Sequence, residues 1–489
     1  MSDSNRGEPR IAIIGSGFSG LCLGIQLQKA GIHSFTIFEK GARVGGTWRD
    51  NTYPGAACDS PAFAYCFSFE QKTDWSAKWS PQAEILGYME HCAEKYGLLP
   101  HIRFETEIES ASFDEDRGVW QLRTSAGEDV EAEVLVSGVG QLNRPYTPEV
   151  PGLEQFSGEH FHSALWNHDV DLEGKRVAVI GNAASAIQFV PEIAPVVSQL
   201  DIFQRSANWM LPRNNRRYSE AEKQRFAHHP VLARLYRWWL WTSFELRFPV
   251  FRRNRLLSAR LERFAEKSMR EVVRDPSLQD ALVPDYPIGG KRILISDDYY
   301  QTLNRSNVHL HTGGIDHLCE EGVVGLDGEL HSADVVILAT GFESTSFLAP
   351  MRIEGLDHRA LHDEWKDGAQ AYLGITTAGF PNFFMTYGPN TNLGHNSIVF
   401  MIECQTRYII DCIRGIRRRG LKWIDVRRDV MDAYNGRLQE ELERTAWAAT
   451  GKSWYKNEAG RITNNWSGTT TRYWWRTRKA DLSLYRHET

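Results

Sequence analysis

Two short stretches of this chain carry residue types at a spacing suited to holding a dinucleotide. The first is Gly15-x-Gly17-x-x-Gly20, with Ser16 and Phe18 inside it, directly after the apolar run IAII. In such a loop the first glycine permits a tight turn and the second lets a pyrophosphate approach the backbone. The third lets the next helix pack on the strand, and the diphosphate meets free N–H groups at the helix N-terminus. Glu39 ends the following apolar stretch, 19 residues after Gly20. A carboxylate there accepts hydrogen bonds from a ribose diol. The glycine pattern alone is weak evidence; strand, helix and acid together make it specific. The second stretch is Gly181-x-Ala183-x-x-Ala186, with Asn182, Ala184 and Ser185 between. Alanine at the last position is within the pattern, but Ala183 departs from it, and its methyl would hold a pyrophosphate slightly away. No acid follows; Gln204-Arg205-Ser206 stands in its place. Arginine there favours a 2′-phosphate, hence NADPH over NADH, the alternative being an ordinary surface arginine.

The elements that position these loops follow from periodicity. IAII (11 to 14), the apolar stretch LCLGIQLQKAG and FTIFEK (35 to 40) predict strand, helix and strand. At 176 the design recurs: RVAVIG as strand, IQFVPEIA as helix and QLDIFQRS as strand. FETEIESASFDE, VWQLRTS and EDVEAEVLVSG read as alternating strands, followed by a linker punctuated by Pro145, Pro148, Pro151 and Gly152. DVVILATGF (334 to 342) echoes EVLVSGVG (133 to 140), so the chain is expected to leave the first domain and return to it. The fold class is therefore α/β, with two Rossmann-like dinucleotide-binding domains. The first would span 1–145 and 340–489, the second 146–339. Residues of about 217–283 lack strand signals and predict a helical insertion in the second domain. There Leu232, Leu235, Tyr236, Trp239 and Leu240 fall on one helical face, and Leu257, Leu261 and Phe264 on another, among several arginines. We expect a packed helical cap with snorkelling arginines; a membrane-surface helix is the sharper alternative.

Composition excludes several classes. At 489 residues the chain is long enough for two or three domains, and 42% hydrophobic with 24% charged is ordinary globular composition. A net charge of −6 does not suggest a nucleic-acid binder. The seven cysteines (22, 58, 66, 92, 319, 404, 412) are scattered, with no C-x-x-C or C-x-x-x-x-C pair and no zinc spacing, so no metal is expected. That pattern argues for a reducing compartment, and the polar start MSDSNRGEPR reads as lacking a signal peptide. No apolar run of about 18 residues exists to span a membrane. Cytoplasm is the expectation.

Three further stretches carry a family resemblance. Phe156-x-Gly158-x-x-x-His162-x-x-x-Trp166 is similar to the fingerprint of the Baeyer–Villiger monooxygenases; Asn167 departs from the Pro or Asp that commonly closes it. Gly46-Thr47-Trp48, Tyr53-Pro54-Gly55 and Asp59 resemble a second signature of that family, followed by Tyr65-Cys66-Phe67-Ser68-Phe69. Gly290-Lys291-Arg292 resembles the segment supplying the family's active-site arginine. The likeness covers about residues 10 to 345, and more loosely GPNTNLGHNSI (388 to 398).

The resemblance implies FAD on the first loop, with Thr47, Trp48, Asp59 and Tyr65 beside it, and NADPH on the second. It implies oxygen insertion next to a ketone carbonyl through a C4a-peroxyflavin formed with O2. Such an anion needs a fixed positive charge, and a guanidinium cannot lose its proton. Arg292 matches that arginine and Asp59 the carboxylate that orients it; the plainer reading makes Arg292 a second phosphate contact beside Lys291. Lys291 and Arg205 would hold the 2′-phosphate. His162 and Trp166 would lie in the domain linker and couple domain motions. The nearest rival is oxygenation of a soft nitrogen or sulfur, which does not need Arg292; many ketone enzymes also oxidise sulfides. A disulfide reductase is disfavoured by the missing cysteine pair; a quinone reductase or oxidase would consume NADPH without oxygenating anything, and a non-enzymatic flavin sensor would not explain two nucleotide sites.

Overall fold

The computed structural model describes residues 8–253, 255–451 and 453–489. The polar start of the chain, through residue 7, lies outside them. Two five-stranded parallel sheets organise the molecule. In the first, Ile11–Ile14 lies between Phe35–Phe38 and Val134–Ser137, with Ile102–Arg103 and Phe383–Met385 at the edges. All four residues of Ile11–Ile14 are buried, as a strand covered on both faces requires. The second sheet repeats the plan. Arg176–Ile180 lies between Gln199–Phe203 and Val335–Leu338, with Val308–His311 and Glu159–His162 outside them.

Register fixes where each loop meets its partner strand. Ile14 pairs with Phe38 and Gly15 N donates to Phe38 O at 2.8 Å, so Glu39 emerges beside the first glycine loop. Ile180 pairs with Phe203 and Gly181 N donates to Phe203 O at 3.0 Å, so Gln204 and Arg205 emerge beside the second.

The segment expected to be one long strand near 130 splits. Asp129–Ala132 closes an antiparallel meander with Ile108–Asp114 and Val119–Thr124, while Val134–Ser137 enters the first parallel sheet. Arg352–Glu354 adds to the meander beside Ile108–Asp114. The chain crosses between the sheets twice, side by side: Tyr146 N donates to Gly341 O at 2.8 Å and Glu343 N to Arg144 O at 3.0 Å. One expectation is corrected here. The segment with Phe156, Gly158, His162 and Trp166 is not a linker: Glu159–His162 is the edge strand of the second sheet, in register with Val335–Leu338. Gly158 is required there, because a Cβ would stand 2.4 Å from Asp334 O.

The insertion is helical: Glu220–His228, Pro230–Glu245, Phe248–Phe251, Arg255–Val272 and Pro276–Ala281. A capping box between Ser219 and Glu222 opens it. The expected packed face is corrected. On Pro230–Glu245 only Ala233 and Leu240 are buried, Tyr236 is half-buried, and Leu232, Leu235 and Trp239 are exposed. At 100° per residue the side facing the turn Ala62–Ala64 is narrower than the apolar arc, so the rest of that arc meets solvent. Leu257 and Phe264 are likewise exposed. Beyond the insertion, the long helix Ile398–Arg419 packs on the helix Phe18–Lys29, and Tyr485–Glu488 pairs with Trp423–Val426.

Candidate functional site

A cavity of about 850 Å³ opens between the two sheets, lined by Gly15, Gly17, Glu39, Thr47, Trp48, Asp59, Tyr65, Ala184, Ser185 and Arg292 among others. Its floor is the first glycine loop. Gly15 has φ +96°, a conformation that favours glycine, and a Cβ on Gly20 would stand 1.9 Å from Gly15 O. Gly17 is different: nothing lies closer to its missing Cβ than Gly46 Cα at 4.0 Å. The space over Gly17 and the start of helix Phe18–Lys29 suit a phosphate.

Glu39 is buried and accepts from Ser16 N (2.9 Å), Ser16 Oγ (2.7 Å), Gly41 N (2.8 Å) and Arg49 Nη1 (2.7 Å). Burial pushes its carboxyl up, but these donors outweigh it and hold the group below its ordinary range. The acceptor is thus charged and aimed, and Glu39 itself lines the cavity. Phe18, Trp48 and Tyr65 form an aromatic wall. Phe18 and Trp48 meet the Tyr65 ring edge-on at 5.2 and 5.7 Å, and Trp48 Nε1 donates to Tyr65 Oη at 3.2 Å. Burial raises the Tyr65 phenol well above its ordinary range, so it stays neutral. Thr47 Oγ1 donates to Leu142 O at 3.3 Å. These features fit a flavin dinucleotide: a glycine cradle for phosphate, a charged ribose acceptor and apolar walls for a flat ring.

Arg292 reaches this cavity from the other sheet's side. Its Nε and Nη2 each donate to Asp59 at 2.6 Å, a bidentate fork. The Asp59 charge holds the guanidinium above its already high range, so it is cationic at every working pH. Lys291 points elsewhere: its Nζ donates to Ser206 Oγ at 2.9 Å and lies 4.5 Å from the centre of the Tyr286 ring. Both residues sit just before the strand Leu294–Ile295, and their side chains take different partners, Ser206 for Lys291 and Asp59 for Arg292. One short segment therefore carries Lys291 toward Ser206 and Arg292 toward Asp59.

The second loop lies near Lys291. Gly181 has φ +109°, and a Cβ there would stand 2.5 Å from Ala339 O. Asn182 Nδ2 donates to Gln204 Oε1 at 2.6 Å, and Gln204 is buried. Ala183 is exposed, and Ala186 begins the helix Ala186–Ile193. Arg205 is exposed, and neither it nor Lys291 forms an ion pair among the described residues. Burial and the Arg205 charge both lower the Lys291 pKa. Two cations that repel each other beside a glycine turn suit a dianionic phosphate.

With this geometry in place, likeness to known proteins is informative. The flavin-binding monooxygenase-like family model matches residues 8–355. A Baeyer–Villiger monooxygenase of Pseudomonas aeruginosa is 44% identical over 478 residues, 97% of this chain and 91% of the relative. Among solved structures, an oxidised steroid monooxygenase bound to NADP superposes with a TM-score of 0.87 at 30% identity, over 98% of this chain and 99% of that one. OTEMO in complex with FAD and NADP gives 0.88 at 26% identity, over 99% and 100%.

The chain belongs to the Baeyer–Villiger monooxygenase family. The family fingerprint is wired to both sides of the cavity. The Trp166 ring lies 5.2 Å from Phe189, which lies 6.2 Å from Tyr53 in the second signature. Tyr53 Oη donates to Gln188 Oε1 at 3.0 Å, and Thr52 Oγ1 bonds His168 Nε2 at 2.8 Å. His162 is buried, accepts from Ala164 N through Nδ1 and packs 6.2 Å from Phe342 on the return crossing. Burial lowers its pKa, so the ring is neutral. Phe156 is buried in the core of the second sheet.

Several residues escaped sequence reasoning. Arg49, which fixes Glu39, stands between the signature residues Trp48 and Tyr53, and only the adjacent pair Arg49-Asp50 hinted at it. Asn392 and Ser397 line the cavity from a segment noted only loosely, and Tyr387 from the position just before it. Outside the cavity, the sequence shows no zinc spacing, yet Asp201, His311 and His331 bring potential ligand atoms within 4.8 Å of one another from three strands. Burial pushes the Asp201 carboxyl up, but His311 and Gln199 outweigh it and hold it low.

Proposed function

We propose that the chain is an FAD-dependent, NADPH-consuming Baeyer–Villiger monooxygenase that inserts one atom of O2 beside the carbonyl of a small ketone. The observation that carries this reading is the Arg292–Asp59 fork in the wall of the cavity that holds the glycine loop. When bound and reduced, FAD supplies the oxygen-activating chemistry. The chain supplies position and charge. Glu39 and the Gly15–Gly20 turn would anchor the dinucleotide, and Phe18, Trp48 and Tyr65 would exclude water from the ring. Transfer of oxygen to a carbonyl develops negative charge on oxygen, and Arg292 presents a fixed cation for it. Asp59 aims that cation. Arg205 and Lys291 would take the 2′-phosphate. We further propose that 1–145 with 340–489 forms the FAD unit and 146–339 the NADPH unit. Cytoplasmic placement is supported by seven free cysteines. No helix among the described residues is long and apolar enough to cross a membrane.

The test is a panel of ketones and sulfides scored for coupled NADPH and O2 consumption, run on the wild type and on Arg292→Ala. The variant should bind FAD and be reduced by NADPH, yet lose ester formation by roughly 10²–10³-fold and release hydrogen peroxide instead. Asp59→Ala should act in the same direction but more mildly, and Arg292→Lys should not fully rescue, since it lacks the planar fork. Ester formed by Arg292→Ala at the wild-type rate would sink the ketone mechanism. Sulfides oxidised while every ketone is refused would favour heteroatom oxygenation.

A further inference from the structure

The helical insertion leaves a large apolar face uncovered. On Pro230–Glu245, Leu235 is 56% exposed, Trp238 63% and Trp239 59%, and Val231 and Leu246 extend the same stripe at helical spacing. The opposite side of this helix is packed: Ala233 and Leu240 are buried, and Arg237 Nη1 donates to Phe63 O at 2.7 Å. Tryptophan rings this exposed are a substantial liability in water unless something covers them.

Trp238 also lines a separate groove of about 1110 Å³, distinct from the FAD cavity. The groove runs between this helix and Ile398–Arg419, which contributes Arg407, Ile410 and Arg414 from one face. Arg234, Arg478 and Lys479 add to its walls, as do Lys29 and Arg237; among the described residues the only carboxylates lining it are Glu403 and Asp411. Both carboxylates already accept backbone N–H groups, from Ser68 and Ala480. None of these cations forms an ion pair among the described residues. On a chain of formal net charge −6, this is a local reversal of sign.

We propose that this face docks the protein on an anionic phospholipid bilayer, with the Trp238/Trp239 stripe entering the interface and the groove cations taking lipid phosphates. Indole rings favour the headgroup level, and clustered Lys and Arg are drawn to anionic leaflets. A second copy of this chain fits poorly, because an isologous pairing of the stripe would set Arg234 and its neighbours against their own copies. The docked helix adjoins the FAD cavity. Asn396 and Ser397 line that cavity, and Asn396 Nδ2 donates to Trp241 O at 3.3 Å. An apolar substrate dissolved in the bilayer would thus meet the protein beside its site.

The experiment is co-sedimentation of the flavin-loaded protein with vesicles of phosphatidylcholine, alone or mixed with phosphatidylglycerol, at about 0.1 M and about 1 M salt. Binding is expected only to the mixed vesicles and only at low salt. Arg407→Gln with Arg414→Gln should weaken it roughly thirtyfold. Trp238→Ser with Trp239→Ser should weaken it roughly tenfold or more, while flavin content and melting temperature stay near wild-type values because both residues are more than half exposed. Binding to neither vesicle, or equal binding to both, would overturn the proposal. So would dimerisation that the tryptophan double variant abolishes, which would assign the stripe to a second copy. Equal affinity for a DNA duplex, untouched by the tryptophan substitutions, would assign the groove to a polyanion and overturn it as well.

Discussion

The two glycine loops share a plan and differ in how tightly they are built. Each follows the central strand of a parallel sheet, each begins with a glycine at positive φ, +96° at Gly15 and +109° at Gly181, and each donates its first N–H to the neighbouring strand. In the first loop the helix starts at Phe18, three residues after Gly15; in the second it starts at Ala186, five after Gly181. Gly20 therefore sits inside the first helix against Gly15 O, where no Cβ fits, whereas Ala186 opens its helix and is buried without conflict. The partner residues differ in the same sense. Glu39 is buried and held by four donors, while Arg205 is exposed. A closed site with a buried, aimed carboxylate suits a cofactor that stays; a wider turn beside an exposed arginine suits one that comes and goes.

The strongest way to break this comparison is a matched pair of substitutions. Gly15→Val should abolish bound flavin, because valine cannot take φ +96° and its Cβ would meet Gly138 O at 3.0 Å. Gly181→Val should leave the protein yellow, since that turn belongs to the second sheet, but stop reduction by NADPH. Absorbance at the flavin band and anaerobic reduction rates separate the two. A colourless Gly181→Val protein with a normal melting temperature would show that the two sites are not independent.

A smaller effect sharpens the second site. Arg205→Ala should raise the Michaelis constant for NADPH about ten- to a hundredfold, the loss of one charge-assisted contact to phosphate, and leave that for NADH nearly unchanged. The pH dependence has a definite sign. Burial and Arg205 lower the Lys291 pKa, so the free protein loses this cation at a lower pH than an ordinary lysine would. NADPH binding should therefore weaken as pH rises through that lowered value, and Lys291→Met should remove the dependence. Equal losses with NADPH and NADH in Arg205→Ala would show that this arginine does not read the 2′-phosphate.

Legibility in the sequence followed the range of the interaction. The strands before both loops were legible because parallel strands are continuous apolar runs, and Glu39 because register places it beside Gly15. The Arg292–Asp59 fork spans 233 residues and came only through family likeness; nothing in either local pattern points to the other. The fingerprint segment was misread as linker because Glu159–His162 is short, carries two histidines and is an edge strand without a continuous apolar run. Arg49 was missed because its partner Glu39 had already been given a ligand role. The exposure of Trp239 is not legible in the sequence because a helical stripe states which residues share a face, not whether anything covers it.

The smallest predicted effect tests the comparison most finely, by exchanging the middle residues of the two loops. Gly17 has nothing within contact of its missing Cβ except Gly46 Cα at 4.0 Å, so alanine fits there without disturbing the fold. The same methyl stands where the backbone must approach a pyrophosphate, and Gly17→Ala should weaken FAD by roughly tenfold, a loss of about 1.4 kcal/mol. Ala183 lies in a turn two residues longer and is exposed. Its methyl is not forced toward a ligand by a helix starting immediately behind it. Ala183→Gly should therefore change the Michaelis constant for NADPH by no more than roughly threefold, with any gain offset by the extra freedom of glycine in the free loop. The measurements are flavin retention on dilution for the first variant and steady-state NADPH titration for the second. If Ala183→Gly tightens NADPH as strongly as Gly17→Ala loosens FAD, the two turns hold phosphate in the same way, and the wider second loop is not what permits alanine there.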